Sequence, residues 1–240
     1  MHEKPAHMEF AETLLGTVGP GRVAGIARQL AEVEGLAATM DLIVDLSVGY
    51  LEHCDGATIM FVERGGRIAT PAATDESARR ADVAQHELGE GPCLSALREH
   101  ELVVVGDLSA EARWPRWQAE VLEPGWRSMV GLRLFLADDT MGALNLYSRR
   151  PDGFPTGSQD LGQAFAAVAA VAMKSAISTE GLERALQARD EIGQAKGIVM
   201  ERERISGDEA FTRLRELSNR RDLRMRDLAR EVIETGDLSD

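Results

Sequence analysis

Along the chain, apolar residues recur either at three- and four-residue steps or in short unbroken blocks, and the two patterns alternate. From Arg22 to Glu34, Val23, Ile26, Ala27 and Leu30 fall on one helical face. After Gly35 the periodic pattern resumes over Leu36 to Leu51 and stops before Asp55-Gly56. Ala57 to Val62 (ATIMFV) reads as a buried strand, Gly65-Gly66 as a hairpin turn and Arg67 to Ala73 as the partner strand. Asp75 to Leu88 predicts an exposed helix, followed by a short helix opened by Pro92-Cys93 and a central strand at Leu102 to Val105. Met129 to Leu136 and Ala143 to Tyr147 predict a second hairpin around Ala137-Asp138-Asp139-Thr140, and Gln159 to Ile177 a further helix. Strands joined by tight turns imply an antiparallel sheet, with the flanking helices covering one face. The result is an α+β domain.

The pattern beyond residue 160 is helical throughout. Leu161, Phe165, Val168, Ala172, Leu182 and Leu186 fall at steps that suit a long helix with coiled-coil character, interrupted by a polar gap from Lys174 to Glu180. Leu182 to about Glu203 puts Ala185, Ile192, Ala195 and Val199 on one side. Ser206-Gly207-Asp208-Glu209 has the capping-box spacing, in which the hydroxyl accepts from the third residue's amide and the carboxylate reaches back. The helix it starts carries Ala210, Leu214 and Leu217, with Phe211 read as core beside them, and breaks at Asn219 to Asp222. Met225, Leu228, Ala229, Val232 and Ile233 form a full amphipathic stripe that ends at Thr235-Gly236. These are three helices around a small core. The organisation is thus a flexible leader at 1–21, an α+β domain with a preceding helix at 22–175, a connecting helix at 158–200 overlapping both neighbours, and a helical domain at 180–236.

The 240 residues are 44% hydrophobic and 28% charged, which is ordinary for a globular chain. The longest uninterrupted apolar run, Ala164 to Met173, has ten residues, against the roughly 20 a membrane span needs. With no basic-then-apolar leader and only two cysteines, Cys54 and Cys93, the expected location is cytoplasmic, with no membrane partner. A net charge of −13 argues against a general DNA-coating protein. The average hides an asymmetry. Residues 1–179 carry 15 basic against 25 acidic side chains, whereas residues 184–230 carry 12 against 9, a net of +3. An acidic body with a locally basic end suggests a second module that meets an anionic partner, or else a solvated face laced with ion pairs.

Candidate chemistry is sparse. No acid–base pair, nucleophile elbow or phosphate loop appears: Gly193 and Gly197 lack the Gly-Lys-Ser/Thr ending such a loop needs. No enzyme is expected. Cys93 follows Gly91-Pro92 and reads as a small buried side chain, with a redox or covalent role as the alternative. His53-Cys54 makes no metal pair, because helix neighbours face different directions, and no metal site is expected. His86 and His100 read as surface histidines, with haem ligation as the alternative. Trp114, Trp117 and Trp126 read as packing residues that could wall a pocket. Cys93, Trp114, Trp117 and Met129 are the candidate lining of a ligand cavity.

Leu88-Gly89-Glu90-Gly91-Pro92-Cys93-Leu94, Val103 to Leu108 and Gly142-Ala143-Leu144-Asn145-Leu146-Tyr147 resemble a GAF domain over residues 36–175. The resemblance implies a small-molecule-sensing fold with a cavity, and no particular ligand or cofactor. Bilin-binding members carry His directly after their cysteine, where this chain has Leu94. Arg189 to Met200 (RDEIGQAKGIVM), Glu209-Ala210-Phe211-x-x-Leu214-Arg215 and Leu228-Ala229 resemble the ANTAR domain over the whole of 180–236, with Val199 where leucine is usual and an Arg-rich final region as departures. That family consists of RNA-binding antitermination regulators, and the pairing is similar to the GAF–ANTAR regulators. The resemblance implies binding to paired stem-loops in nascent RNA, so that a terminator hairpin does not form, with RNA polymerase a partner only indirectly.

The cations and small residues of the helical domain supply candidate contacts: Arg189, Lys196, Arg220, Arg221, Arg224 and Arg226 for phosphate or base, and Gln194 as a base-edge reader. Gly193 and Gly197 serve either close helix packing or the approach of a sugar–phosphate backbone. With Phe211 as the only aromatic after residue 180 and assigned to the core, stacking platforms are not expected. A homodimer through the connecting helix is expected. The last two helices are also compatible with a helix-turn-helix reading duplex DNA, and a third reading makes the tail a protein-docking adaptor.

Overall fold

The computed structural model describes residues 20–62, 67–98, 102–136 and 139–238. The leader up to residue 19, the Gly65-Gly66 turn, His100 and Ala137-Asp138 lie outside these residues. The chain divides into two compact units, Met1–Ile177 and Ser178–Asp240.

The first unit begins with α1 (Pro20–Ala31), whose proline stands at the helix start where its missing N–H costs nothing. It continues through α2 (Leu36–Tyr50), β1 (Gly56–Val62), β2 (Ile68–Ala73), α3 (Glu76–Leu88), α4 (Pro92–Arg98) and β3 (Leu102–Val105). A short 3-10 turn at Leu108–Ala110, α5 (Pro115–Leu122), β4 (Ser128–Leu136), β5 (Asp139–Ser148) and α6 (Thr156–Glu203) complete the order. All neighbouring strands pair antiparallel in the order β2-β1-β5-β4-β3.

The expectation that helices cover one face of this sheet is corrected. Side chains alternate across a strand, and both alternating sets are buried. Ile59, Leu132, Leu134, Leu144 and Leu146 pack with Ile43 and Val44 of α2 and with Leu161, Phe165, Ala169 and Met173 of α6. On the other face Val103, Val105, Met129 and Tyr147 pack with Ala78 and Ala81 of α3 and with Trp117 and Val121 of α5. Cys93 and Leu94 of α4 cover Met60 and Ala143 there. The expected exposed helix over Asp75–Leu88 therefore has a fully buried face of Ala78, Ala81, Asp82 and Gln85. Its apolar members are only alanines, so its mean polarity resembles that of a surface helix. The helix at Pro115–Leu122 has no counterpart in the periodicity reading.

The β1–β2 register shifts between Ile59 and Phe61, a stretch of β1 that faces the longer run Ala69 to Ala72. This bulge accommodates Pro71 on an edge strand, where proline is tolerated. It also turns Thr70 inward to hydrogen-bond Asp82, while Ala72 stays in the opposite core.

Helix α6 is continuous for 48 residues, so the polar gap from Lys174 to Glu180 is helical as well. By length and composition it is apolar enough to cross a membrane, although its buried residues in the first unit fill the sheet core. In the second unit its last turns join α7 (Gly207–Arg220) and α8 (Met225–Thr235). Ala195, Val199, Ala210, Leu214, Leu217, Leu228, Ala229 and Val232 are the buried core of that unit. Ser206 and Glu209 form the expected capping box, and α8 stops at Gly236 in the left-handed conformation. Asp222, at φ 51, makes the reversal between α7 and α8.

A methyl group at Gly142 would run into the carbonyl of Met60 on the paired strand. Gly142→Ala is therefore expected to destabilise the sheet unit by about 1–3 kcal/mol, measured by chemical denaturation. An unchanged midpoint would show that β1 and β5 do not approach as closely as described.

Candidate functional site

In the first unit the polar chemistry converges beneath α3 and α4. Asp82 is fully buried. Its Oδ2 accepts from Thr70 Oγ1 at 2.6 Å, and its Oδ1 accepts from Asn145 Nδ2 at 2.5 Å and Gln85 Nε2 at 3.3 Å. Asn145 Nδ2 also donates to Thr58 Oγ1 at 3.3 Å, joining β1 and β5 to the cluster. Gln85 Nε2 lies 3.4 Å from the Tyr147 hydroxyl, and Gln85 Oε1 accepts from the Cys93 amide at 2.8 Å. One amide side chain thus fixes the start of α4. Gly91, at φ 140, leaves room for it, since a Cβ there would collide with Gln85.

Burial pushes the Asp82 carboxyl up to about 6, against the opposing hydrogen bonds from Thr70, Thr58 and Asn145 and the positive charge of Arg79. The Arg79 guanidinium donates to the Thr70 carbonyl, so it reaches Asp82 only through space. Sequence reasoning misses this whole cluster. The spacing of Ala78, Ala81, Asp82 and Gln85 is the available signal, and alanines make it faint.

The four candidate pocket residues are all packed side chains. Cys93, Trp117 and Met129 have no exposed surface, and Trp114 has 9%. Trp114 and Trp117 meet edge to face, their ring centroids 6.2 Å apart, and the Trp117 indole donates to the Ala81 carbonyl at 2.8 Å. Cys93 Sγ lies 3.3 Å from Met60 Sδ. Burial, with the nearby Asp82 charge, drives its thiol well above the ordinary range, so the thiolate a redox role needs is disfavoured. Cys54 is likewise pushed up to about 12, by burial first. His53 and His86 are half-buried. Among the described residues no group of three His, Cys, Asp or Glu could hold a metal ion.

In the second unit the candidate cations separate into two sets. Arg221 is bonded to both carboxylate oxygens of Glu231, at 2.8 and 3.0 Å. Arg224 and Arg226 both approach Asp227, at 3.3 and 3.8 Å. These three have carboxylate partners. Arg189 and Lys196 have none among the described residues; Arg220, exposed at the end of α7, is engaged and does not belong with them. Arg189, Gly193, Lys196 and Met200 succeed one another at four-, three- and four-residue steps, so they share one side of α6, on which Arg189, Gly193 and Met200 are exposed and Lys196, next to the buried Val199, is half-buried.

Nothing comes within 4 Å of a Cβ built at Gly193 or Gly197. Within the described residues, then, no helix packs closely against either. Gln194 lines a shallow depression with Gly197, Ile198, Glu201, Arg202 and Gly236. Phe211, expected in the core, is instead 42% exposed. It comes one residue after Ala210, which on a helix is a turn of about 100° away from the stripe.

The sequence pattern of the GAF domain matches residues 33–174, and that of the ANTAR domain matches residues 180–233. No curated protein matches the chain. Among solved structures, the GAF domain of a phosphoenolpyruvate-protein phosphotransferase from Coxiella burnetii is 15% identical, with a TM-score of 0.54, covering 67% of this chain and 95% of that one. The corresponding GAF domain from Acinetobacter is 17% identical with a TM-score of 0.52, covering 66% and 93%. Bacteriophytochrome RpBphP3 from R. palustris is 9% identical with a TM-score of 0.56, covering 74% of this chain and 41% of that one. At these identities the likeness is one of fold alone.

Two measurements check the buried chemistry. A carboxyl raised by folding binds its proton more tightly in the native state, so its stabilising contribution is present at low pH and is lost as pH rises through about 6. Relative to Asp82→Asn, the wild type should gain about 1 kcal/mol on going from pH 7.5 to pH 5. A difference that is flat with pH, or that grows in the other direction, would show that Asp82 is not held protonated by its surroundings. Separately, Cys93 should resist iodoacetamide in the native protein at pH 8 and react once guanidinium is added, as read by peptide mass mapping. Rapid native labelling would contradict its burial.

Proposed function

The chain belongs to the GAF domain family and carries a C-terminal ANTAR domain, and on that premise we propose that it is a signal-responsive antitermination regulator acting in the cytoplasm. The ANTAR domain supplies an RNA-binding module and the GAF domain a sensing one. In this reading the RNA target is a pair of adjacent stem-loops in a nascent transcript, and their capture prevents a terminator hairpin from forming. The observation that carries the reading is electrostatic. In a chain of net charge −13, Arg189 and Lys196 remain without acidic partners among the described residues and lie on one helix side with the bare Gly193 between them. Phosphate contacts need cations that are not already neutralised, and close approach needs a helix surface without side chains.

The signal enters by the sensor unit. Asp82 couples α3 to the sheet through Thr70 and Asn145, Gln85 and Cys93 tie α4 to α3, and Leu161, Phe165 and Met173 couple α6 to the opposite sheet face. A ligand that prefers one packing of these helices biases the equilibrium by its differential affinity and no more. Two copies of the chain engage two hairpins with gained avidity if their spacing matches. Leu182 and Leu186, 63% and 52% exposed and four residues apart on α6, offer apolar surface for that pairing. No catalytic step forms part of the reading.

A gel shift comparing tandem-hairpin RNA, single-hairpin RNA and duplex DNA tests it, with preference for the tandem RNA expected. Lys196→Ala should weaken binding about tenfold and lower the salt slope by about 1, with helicity unchanged. Arg221→Ala, which breaks the pair with Glu231, should chiefly lower the melting temperature. Equal affinity for duplex DNA would favour a DNA-binding regulator instead.

A further inference from the structure

We propose that Phe211 is a stacking platform for an unpaired base of the bound RNA loop, set among the cations that hold the loop's phosphates; this rests on the RNA-binding reading above. The ring is the only aromatic side chain after residue 180 and is 42% exposed. Its neighbours Ala210 and Leu214 are fully buried, so α7 is well seated and the ring is left outside by its own register. One turn before Phe211 stands Gly207, where a Cβ would lie 3.5 Å from Lys196 Nζ and 3.6 Å from Met200 Sδ. One turn after it stands Arg215, exposed and without an acidic partner among the described residues. Met200, whose Sδ lies beside that same Gly207, is a further exposed apolar side chain at 36%. Of the two acidic side chains in the first turn of α7, Glu209 is bound to Ser206, and Asp208 is the one three residues before the ring.

The composition of this patch selects its occupant. A second copy seated ring to ring would bring Lys196 and Arg215 toward the same cations of its partner, which disfavours that symmetric pairing. A hairpin loop supplies both missing partners, phosphates for the two cations and splayed bases for the ring. Every base has a π-face, so the ring contributes affinity for the loop with little choice of sequence. Sequence choice would then fall to polar readers such as Gln194.

The test uses the full chain and tandem-hairpin RNA, with binding tracked by fluorescence anisotropy and folding by circular dichroism. Phe211→Ala should raise Kd roughly 5- to 100-fold while leaving the salt slope unchanged, because no phosphate contact is lost. Phe211→Tyr should keep most of the affinity. RNA with abasic sites in its loops should bind the wild type as weakly as intact RNA binds Phe211→Ala, and the two changes together should add little. If Phe211→Ala binds intact RNA like the wild type while Lys196→Ala does not, the stacking role is wrong and the RNA-binding reading stands. If Phe211→Ala lowers the oligomeric state in sedimentation and leaves RNA affinity per protomer unchanged, a second copy covers the ring and the proposal is overturned. If the wild type binds no hairpin RNA, the reading beneath it fails as well.

Discussion

Two hydrophobic cores draw on a single helix, and this shared backbone is the constraint on which the architecture rests. Leu161, Phe165, Ala169 and Met173 of α6 belong to the sheet core, and Ala195 and Val199 to the helical core. No residue from 174 to 194 is buried. That stretch owes its helical state to local propensity and to its two anchored ends, because it buries no face of its own against the rest of the chain. Ion pairs such as Arg184 with Glu180 add only tenths of a kcal/mol. The short helical unit also needs its α6 strip: α7 and α8 alone offer too few buried residues for an independent core.

The sensor unit carries the opposite kind of constraint. A carboxyl with no exposed surface sits among neutral donors from β1, β2, β5 and α3. Removing one partner of such a cluster leaves a desolvated polar group, which costs more than the hydrogen bond itself contributes. The bulge at Thr70-Pro71, the glycine at 91 and the amide of Gln85 all make sense as devices that complete it. Acidic in the aggregate, the protein thus keeps one acid where charge is least welcome.

Much of this is legible in the sequence wherever a local rule and the tertiary environment agree. The Ser206–Glu209 capping box, the Met225–Ile233 stripe and the two strand pairs have strong local signals, and the structure has each of them. The readings that fail do so for identifiable reasons. Asp75–Leu88 looks exposed because alanines carry its buried face and its buried polar residues count as hydrophilic in any periodicity. The sheet looks one-sided because its second cover comes from short helices, one of them, Pro115–Leu122, too brief to show a period. Phe211 looks like core because it adjoins Ala210, yet one residue along a helix is a large rotation. The cluster around Asp82 joins residues 58, 70, 82, 85 and 145, separations that no single-chain pattern reveals.

The division of charge has the same geometric origin. Of the arginines near the α7–α8 reversal, Arg221, Arg224 and Arg226 answer carboxylates within their own unit, while Arg189 and Lys196 of α6 have no acidic partner among the described residues. The proposed nucleic-acid contact accordingly lies on α6 and α7 of the helical unit rather than on the acidic sensor. Photo-crosslinking of tandem-hairpin RNA carrying 4-thiouridine in its loops, with the attached peptides located by mass spectrometry, tests this most directly. Adducts are expected on peptides spanning residues 189–215. Adducts confined to residues 22–175 would contradict that assignment.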